Sequence, residues 1–168
     1  DLQSAKDLIA ATNDLFNEDQ IYRIDHYLAK EMAQNILVFR GGNSLFKRTW
    51  DKNFIEKIEV IASEKIGIEG RALFYEQTGA LRDILQSHLL QLAALVLMDL
   101  PGQDEWDYVS RFRLKALQDL EPPSLEDPIK RFTRGQYEGY REEVKNPESN
   151  VETFVSVTLF SRDPKWQD

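Results

Sequence analysis

The chain has 168 residues, 42% of them hydrophobic, which suits one domain with a packed core. Its formal net charge of −8 argues against nucleic acid as a partner, and an anionic substrate would need a site built from local cations. It has no cysteine, which excludes disulfides, thiol catalysis and cysteine-ligated metals.

Residues 4–16 read as an amphipathic helix with Leu8, Ile9, Leu15 and Phe16 on or near one face. The amino terminus is polar and lacks the pattern of a secretory leader. Glu18 and Asp19 mark a turn, and residues 20–24, with Ile21, Tyr22 and Ile24, read as a short buried strand. A helical pattern runs from Asp25 to Arg40 with Leu28, Met32, Ile36 and Phe39 as its apolar stripe, and Gly41, Gly42 and Asn43 stop it. Residues 54–62 alternate as a strand, apolar on one face and mixed on the other. Residues 64–69 make a polar excursion containing Gly67.

Residues 76–98 form a long helix with a weak point at Gly79, and Pro101 and Gly102 end it. Residues 105–120 form another helix, broken by Pro122 and Pro123. Residues 129–137 are a candidate strand, and residues 139–150 read as a polar, mobile loop. Residues 151–161 alternate throughout, and their aromatic second face predicts a strand interior to a sheet. The longest apolar stretch, residues 89–100, is interrupted by Gln91 and Asp99 and is shorter than the roughly 20 residues a bilayer needs, so no membrane partner is expected. Helices and separated strands without regular βαβ alternation predict an α+β fold, its helices packed on an incomplete, mainly antiparallel sheet.

The densest chemistry lies in Asp25-His26-Tyr27-Leu28-Ala29-Lys30-Glu31. A helix start has unpaired N–H groups and a positive dipole end. His26, Tyr27 and Lys30 can share a face on its opening turns, which makes a phosphate clamp. An ordinary helix start, with Asp25 as N-cap and Lys30 solvated, fits the same spacing. His88 lies within the long helix, where an imidazole serves either as a base near neutral pH or as a half-buried residue bonded to a carbonyl. Asp83 precedes it by five, about 140° around an ideal helix, so the two can border one pocket but not one line. Glu64 follows a predicted strand; taken alone, it and Asp83 read as surface acids.

At six of its seven positions the segment from Asp25 resembles the active-site signature of glucose-6-phosphate dehydrogenases, which has glycine where this chain has Ala29. Further resemblances are Glu69-Gly70-Arg71, Thr78-Gly79-Ala80-Leu81-Arg82-Asp83, His88-Leu89-Leu90-Gln91 and Arg134-Gly135-Gln136-Tyr137, in a likeness that runs from Asp1 to about Trp166. It implies that His88, in Gln86-Ser87-His88, takes the proton of the sugar's C1 hydroxyl, with Asp25 on the far ring nitrogen. It implies that His26, Tyr27 and Lys30 bind the phosphate, and that Glu64 and Asp83 bond sugar hydroxyls. Departures from the family pattern include Gly41-Gly42 and the missing lysine in Met98-Asp99-Leu100-Pro101.

The family's glycine-rich dinucleotide fingerprint does not occur in the chain. The resemblance therefore implies that residues 1–24 are the tail of a coenzyme domain and residues 25–168 part of the glucose 6-phosphate-binding and dimerisation domain. NADP or NAD would be bound mainly by a domain outside this chain. The expected parent is a cytoplasmic, homo-oligomeric glucose-6-phosphate 1-dehydrogenase of the pentose phosphate pathway, with the isolated chain inactive. A non-catalytic sugar-phosphate-binding or oligomerisation module is the alternative.

Overall fold

The computed structural model describes residues 2–124, 126 and 131–167. Among them, three helices meet through small residues. Helix α1 (Leu2–Asn13) contributes no described residue to this core; α2 (Glu31–Gly42) brings Ala33, α5 (Leu90–Leu97) brings Ala94 and Leu95, and α6 (Val109–Gln118) brings Ala116. Met98, just past α5, completes this core, and Leu28, Leu37, Leu92, Phe112 and Leu117 pack around it. Alanine lets helix backbones approach closely at a crossing. That requirement explains why α2 does not bury the predicted stripe. Met32 is 79% exposed and Phe39 is also exposed, whereas Ala33 and Arg40 are buried.

Arg40 is buried for a specific reason. Its guanidinium donates to Leu95 O and, at 2.6 Å, to Met98 O. Trp50 Nε1 donates to Val96 O and Trp166 Nε1 to Leu97 O, each at 2.8 Å. Four successive carbonyls at the end of α5 thus receive side-chain donors, where a buried helix end would otherwise leave acceptors unpaired. Burial lowers the Arg40 pKa to about 10, so it stays cationic at neutral pH and suits the negative end of the helix.

The predicted helix 76–98 starts earlier and is not uniform. Helix α4 (Ala72–Ala80) leads into a π-helical segment, Leu81–Leu89, and then α5. Gly79 kinks the run with φ 65° and ψ 171°, a region almost restricted to glycine. By length and composition alone the run Ala72–Leu97 could cross a bilayer. In this fold its middle carries Arg82, Asp83 and His88, and its end forms the core.

Among the described residues the strands make two short antiparallel ladders, and the fold is α+β as predicted. Strand β1 (Leu120–Glu121) pairs with β4 (Phe160–Ser161), and β2 (Phe132–Gly135) pairs with β3 (Phe154–Val157). The alternation over 151–161 is therefore split between two partners, and exposed Phe154 and Phe160 show that it is not interior. Ile129 and Lys130 of the predicted strand 129–137 lie outside the described residues.

Two predicted strands are corrected. A 3-10 turn, Glu18–Gln20, precedes an irregular segment in which Tyr22 and Ile24 are each 86% exposed. Residues 54–62 form no ladder with any described strand, and Phe54 and Ile61 are exposed. Alternation makes a strand only where a second edge accepts its backbone hydrogen bonds. Helix boundaries shift too. Helix α1 ends at Asn13, short of the predicted Phe16, and Leu8 and Ile9 on it are exposed. Helix α2 runs through Gly41 and Gly42, two residues past the predicted end at Arg40. A short helix α3 (Ser44–Thr49) follows, with Asn43 Oδ1 accepting from Leu45 N. The predicted helix 105–120 becomes a 3-10 turn, Trp106–Tyr108, then α6, and Leu120 joins β1.

Residues 139–150 are the largest correction, because they are anchored rather than loose. Helix α7 (Tyr140–Glu143) buries Tyr140 to 1% exposure, and Ser149 is buried as well. Tyr140 Oη and Ser149 Oγ donate to Glu76 Oε1 at 2.7 and 2.6 Å, and Asn146 Nδ2 donates to Glu76 Oε2 at 2.7 Å. The segment's polarity is used inside the fold, on one carboxylate of α4.

Candidate functional site

Asp25 closes a single turn and does not open the helix. Its Oδ1 accepts from Tyr27 N at 2.8 Å and from Leu28 N at 3.4 Å, and its carbonyl accepts from Ala29 N at 3.1 Å. An aspartate side chain that takes backbone donors in this way favours a turn over a helix. Helix α2 begins only after Lys30, whose φ of −63° and ψ of 138° are extended. His26, Tyr27 and Lys30 therefore share one turn, not the predicted helix face.

That turn meets His88. The Tyr27 and His88 rings stack with centroids 4.2 Å apart and 15° between planes. The His26 ring meets both edge-on, at 4.8 Å from Tyr27 and 4.7 Å from His88. Lys30 Nζ lies 4.1 Å from the Tyr27 ring centroid, a cation–π contact. His88 Nδ1 is 3.3 Å from Asp25 Oδ1, at the long end of hydrogen-bond range, with both side chains largely buried. A carboxylate on Nδ1 fixes the tautomer and stabilises an imidazolium, which leaves Nε2 to exchange a proton. His26 and Lys30 are exposed and so accessible to an anion.

His88 lies in the π-helical segment. Leu90 N donates to Leu85 O, and Ser87 Oγ donates to Arg82 O, each five residues back. Bonding at this spacing brings residues five apart toward a common line. Asp83 and His88 consequently stand closer to one face than an ideal α-helix predicts.

Asp83 and Glu64 make no hydrogen bond to the histidine cluster among the described residues. They share the surroundings of Tyr75 on α4. Its phenol pKa is raised first by burial and then by the charges of Asp83 and Glu152; Arg71 opposes this and Glu64 adds to it. The loop that follows Glu64 is held from α7. Glu143 accepts from Tyr137 Oη and, at 3.2 Å, from Glu69 N. Burial and this carboxylate push the Tyr137 phenol up to about 12. A Cβ on Gly67 would stand 2.7 Å from Glu143 Oε2, so glycine permits the approach.

Sequence reasoning missed Glu76, Glu143 and Glu152. Each acts on a partner about seventy residues away, which no local spacing reveals. Two cavities, of about 440 and 570 Å³, lie near the end of α2 around Leu100 and Pro101 and contain none of the site residues. No group of acidic and histidine side chains among the described residues could hold a metal ion.

Comparison with known proteins agrees with the motif reading. The family model described as glucose-6-phosphate dehydrogenase, C-terminal domain, matches residues 37–168, and that described as glucose-6-phosphate dehydrogenase, NAD binding domain, matches residues 1–35. The glucose-6-phosphate 1-dehydrogenase of Bacillus subtilis is 39% identical over 177 residues, covering 99% of this chain and 36% of that protein. The cytoplasmic glucose-6-phosphate 1-dehydrogenase 6 of Arabidopsis thaliana is 39% identical over 168 residues, covering 99% of this chain and 32% of that protein. A solved glucose-6-phosphate dehydrogenase in complex with its substrate glucose-6-phosphate superposes with a TM-score of 0.89 at 33% identity, over 99% of this chain and 36% of the other. The crystal structure of the Mycobacterium avium glucose-6-phosphate 1-dehydrogenase superposes with a TM-score of 0.85 at 36% identity, over 99% of this chain and 37% of the other. The chain spans about a third of the length of the curated relatives it matches. A family model over most of the chain, with relatives aligned along nearly all of it, shows that the chain belongs to the glucose-6-phosphate dehydrogenase family.

Proposed function

We propose that this chain supplies the sugar-phosphate site of a glucose-6-phosphate 1-dehydrogenase, which oxidises the C1 hydroxyl of glucose 6-phosphate to the lactone of the pentose phosphate pathway. The observation that carries the reading is His88 Nδ1 against Asp25, with His26, Tyr27 and Lys30 on the same turn as that carboxylate. His88 Nε2 takes the C1 hydroxyl proton, and Asp25 stabilises the imidazolium that results. His26, Tyr27 and Lys30 grip the phosphate, and charge-assisted contacts make Lys30 its principal anchor. Glu64 and Asp83 accept hydrogen bonds from the sugar hydroxyls.

In this reading residues 1–24 close a coenzyme domain, and residues 25–168 belong to the substrate domain. The oxidation needs NADP or NAD as hydride acceptor. Residues 1–35 resemble an NAD binding domain but contain no glycine, and so lack the glycine-rich turn that holds a pyrophosphate. By themselves they do not fit a dinucleotide. The reading extends to a cytoplasmic homo-oligomer. Relatives in Arabidopsis thaliana and Solanum tuberosum are named as cytoplasmic forms, and the two-stranded ladders leave open edges of the kind that associate.

The test is made in the enzyme that carries this chain. His88→Asn is expected to lower kcat by about a hundredfold or more, with sugar-phosphate affinity within about twofold of the original. Lys30→Ala is expected to weaken that affinity. Near-normal turnover of His88→Asn would refute the assignment.

A further inference from the structure

We propose that Glu152 is a positioning residue for this site: it caps, from the distant segment just before β3, the π-helical stretch that carries Asp83 and His88. The proposal rests on the reading of His88 as the base. Gly79 breaks the helical run, so Ala80 and Leu81 begin a new helix whose first N–H groups have no upstream carbonyl in line. Glu152 answers both. Its carbonyl accepts from Ala80 N at 2.9 Å, and its Oε1 accepts from Leu81 N at 2.9 Å. A carboxylate there also faces the positive end of the new helix.

Kink and cap fit one another. A Cβ at Gly79 would stand 2.5 Å from Glu152 Oε1, so the carboxylate occupies the space a side chain would take. Glu152 is itself fixed by its neighbours. Thr153 N donates to Gly135 O at 2.9 Å, Tyr137 N donates to Thr153 Oγ1 at 2.8 Å, and Gln136 Nε2 donates to Val151 O at 2.9 Å. The β2–β3 ladder therefore sets where the first turn after Gly79 begins. Helices bonded at five-residue spacing are rare and short, and α-helical bonding competes with them at every residue. Fixing the first two N–H groups fixes the register of that turn, and with it the angular position of His88 further along. Released from the cap, the stretch can revert toward α spacing and swing His88 away from Asp25 and Tyr27. The turn from Asp25 to Lys30 that carries the phosphate clamp touches His88 through its rings but is held by its own bonds, Tyr27 N and Leu28 N to Asp25 Oδ1 and Ala29 N to Asp25 O, so it keeps its shape when His88 moves.

The experiment compares Glu152→Ala, Glu152→Gln and His88→Asn in the enzyme that carries this chain. It measures kcat and inhibition by inorganic phosphate, which probes the clamp alone. Misplacing a catalytic group by about 1 Å can cost a hundredfold, so Glu152→Ala is expected to lower kcat at least tenfold. Phosphate inhibition should stay within about twofold, and Glu152→Gln, which keeps an acceptor oxygen for Leu81 N, should recover most of the rate. The proposal is overturned if Glu152→Ala keeps kcat within about twofold, if Gln is no better than Ala, or if phosphate inhibition weakens in step with kcat. Should Glu152→Ala fail to fold, Glu152→Asp, which withdraws the carboxylate by one methylene, must show the same split between kcat and phosphate inhibition or the proposal falls. If His88→Asn retains turnover, the base assignment fails and this proposal with it. If His88→Asn is inactive while Glu152→Ala is normal, only the positioning role fails.

Discussion

Removing one hydroxyl tests whether residues 139–150 are fastened to α4. Tyr140 is 1% exposed and donates to Glu76 Oε1 at 2.7 Å. A hydrogen bond to a charged group contributes about 1.5–3 kcal/mol. Ser149 Oγ stays on the same oxygen at 2.6 Å, so Tyr140→Phe leaves no orphaned charge and the lower part of that range applies. Phenylalanine keeps the ring, which packs 5.4 Å from Tyr137 and 6.2 Å from Tyr75, so no cavity opens. The expected loss is about 1.5–2 kcal/mol, read as a lower urea midpoint with an unchanged slope. A double-mutant cycle with Glu76→Gln should give a coupling of about 1 kcal/mol, because both changes strike the same bond. A loss below about 0.5 kcal/mol, or strict additivity of the two changes, would refute the anchoring.

Two further expectations concern stability. Bonds from Ser149 and Tyr140, opposed by burial and helped by Asn146, hold the Glu76 pKa below its ordinary 4.5. A depressed carboxylate contributes stability that is present above its unfolded value and lost as pH falls through the folded one, so Glu76→Gln should flatten the acid limb of thermal melts below 4.5. Arg40→Met removes two guanidinium bonds of about 1.5–3 kcal/mol each. It also recovers the cost of burying the cation: the fall from 12.5 to about 10 corresponds to roughly 3 kcal/mol. The net loss should lie between about 0 and 3 kcal/mol, and a more stable variant would show that the helix-end carbonyls find other donors.

What could be read from the sequence followed the range of the interactions involved. The cluster from Asp25 to Lys30 was legible because its side chains act within one turn, and His88 because the motif resemblance singled it out. The end of α2 was legible only to within two residues, because Gly41 and Gly42 lower helix propensity without stopping the helix, which takes in both. The π-helical segment was not. Over two turns, apolar spacing does not separate bonding four residues back from bonding five back, and the distinction decides whether Asp83 and His88 share a face. Residues 20–24 and 54–62 carry strand alternation, but a ladder also needs a partner edge, which is a property of the fold. Residues 139–150 have the composition of a solvated loop because donors aimed at Glu76 look the same in sequence as donors aimed at water.

The acidic chain and the proposed anion site are compatible for a related reason. A net charge of −8 would repel a sugar phosphate if the charges stood free near the site. Several of the chain's carboxylates do not. Asp25 faces His88 and two backbone N–H groups, and Glu76 holds three donors. Glu143 holds Tyr137 Oη and Glu69 N, and Glu152 holds Leu81 N at a helix start. Each of these four carboxylates is matched by donors that it also orders. More distant acids are screened beyond about 10 Å at ordinary ionic strength. On the turn itself the exposed charge is that of Lys30, with the exposed Glu31 next to it at the start of α2. An anion on this turn therefore relies on direct contact with Lys30 and not on the chain's overall field.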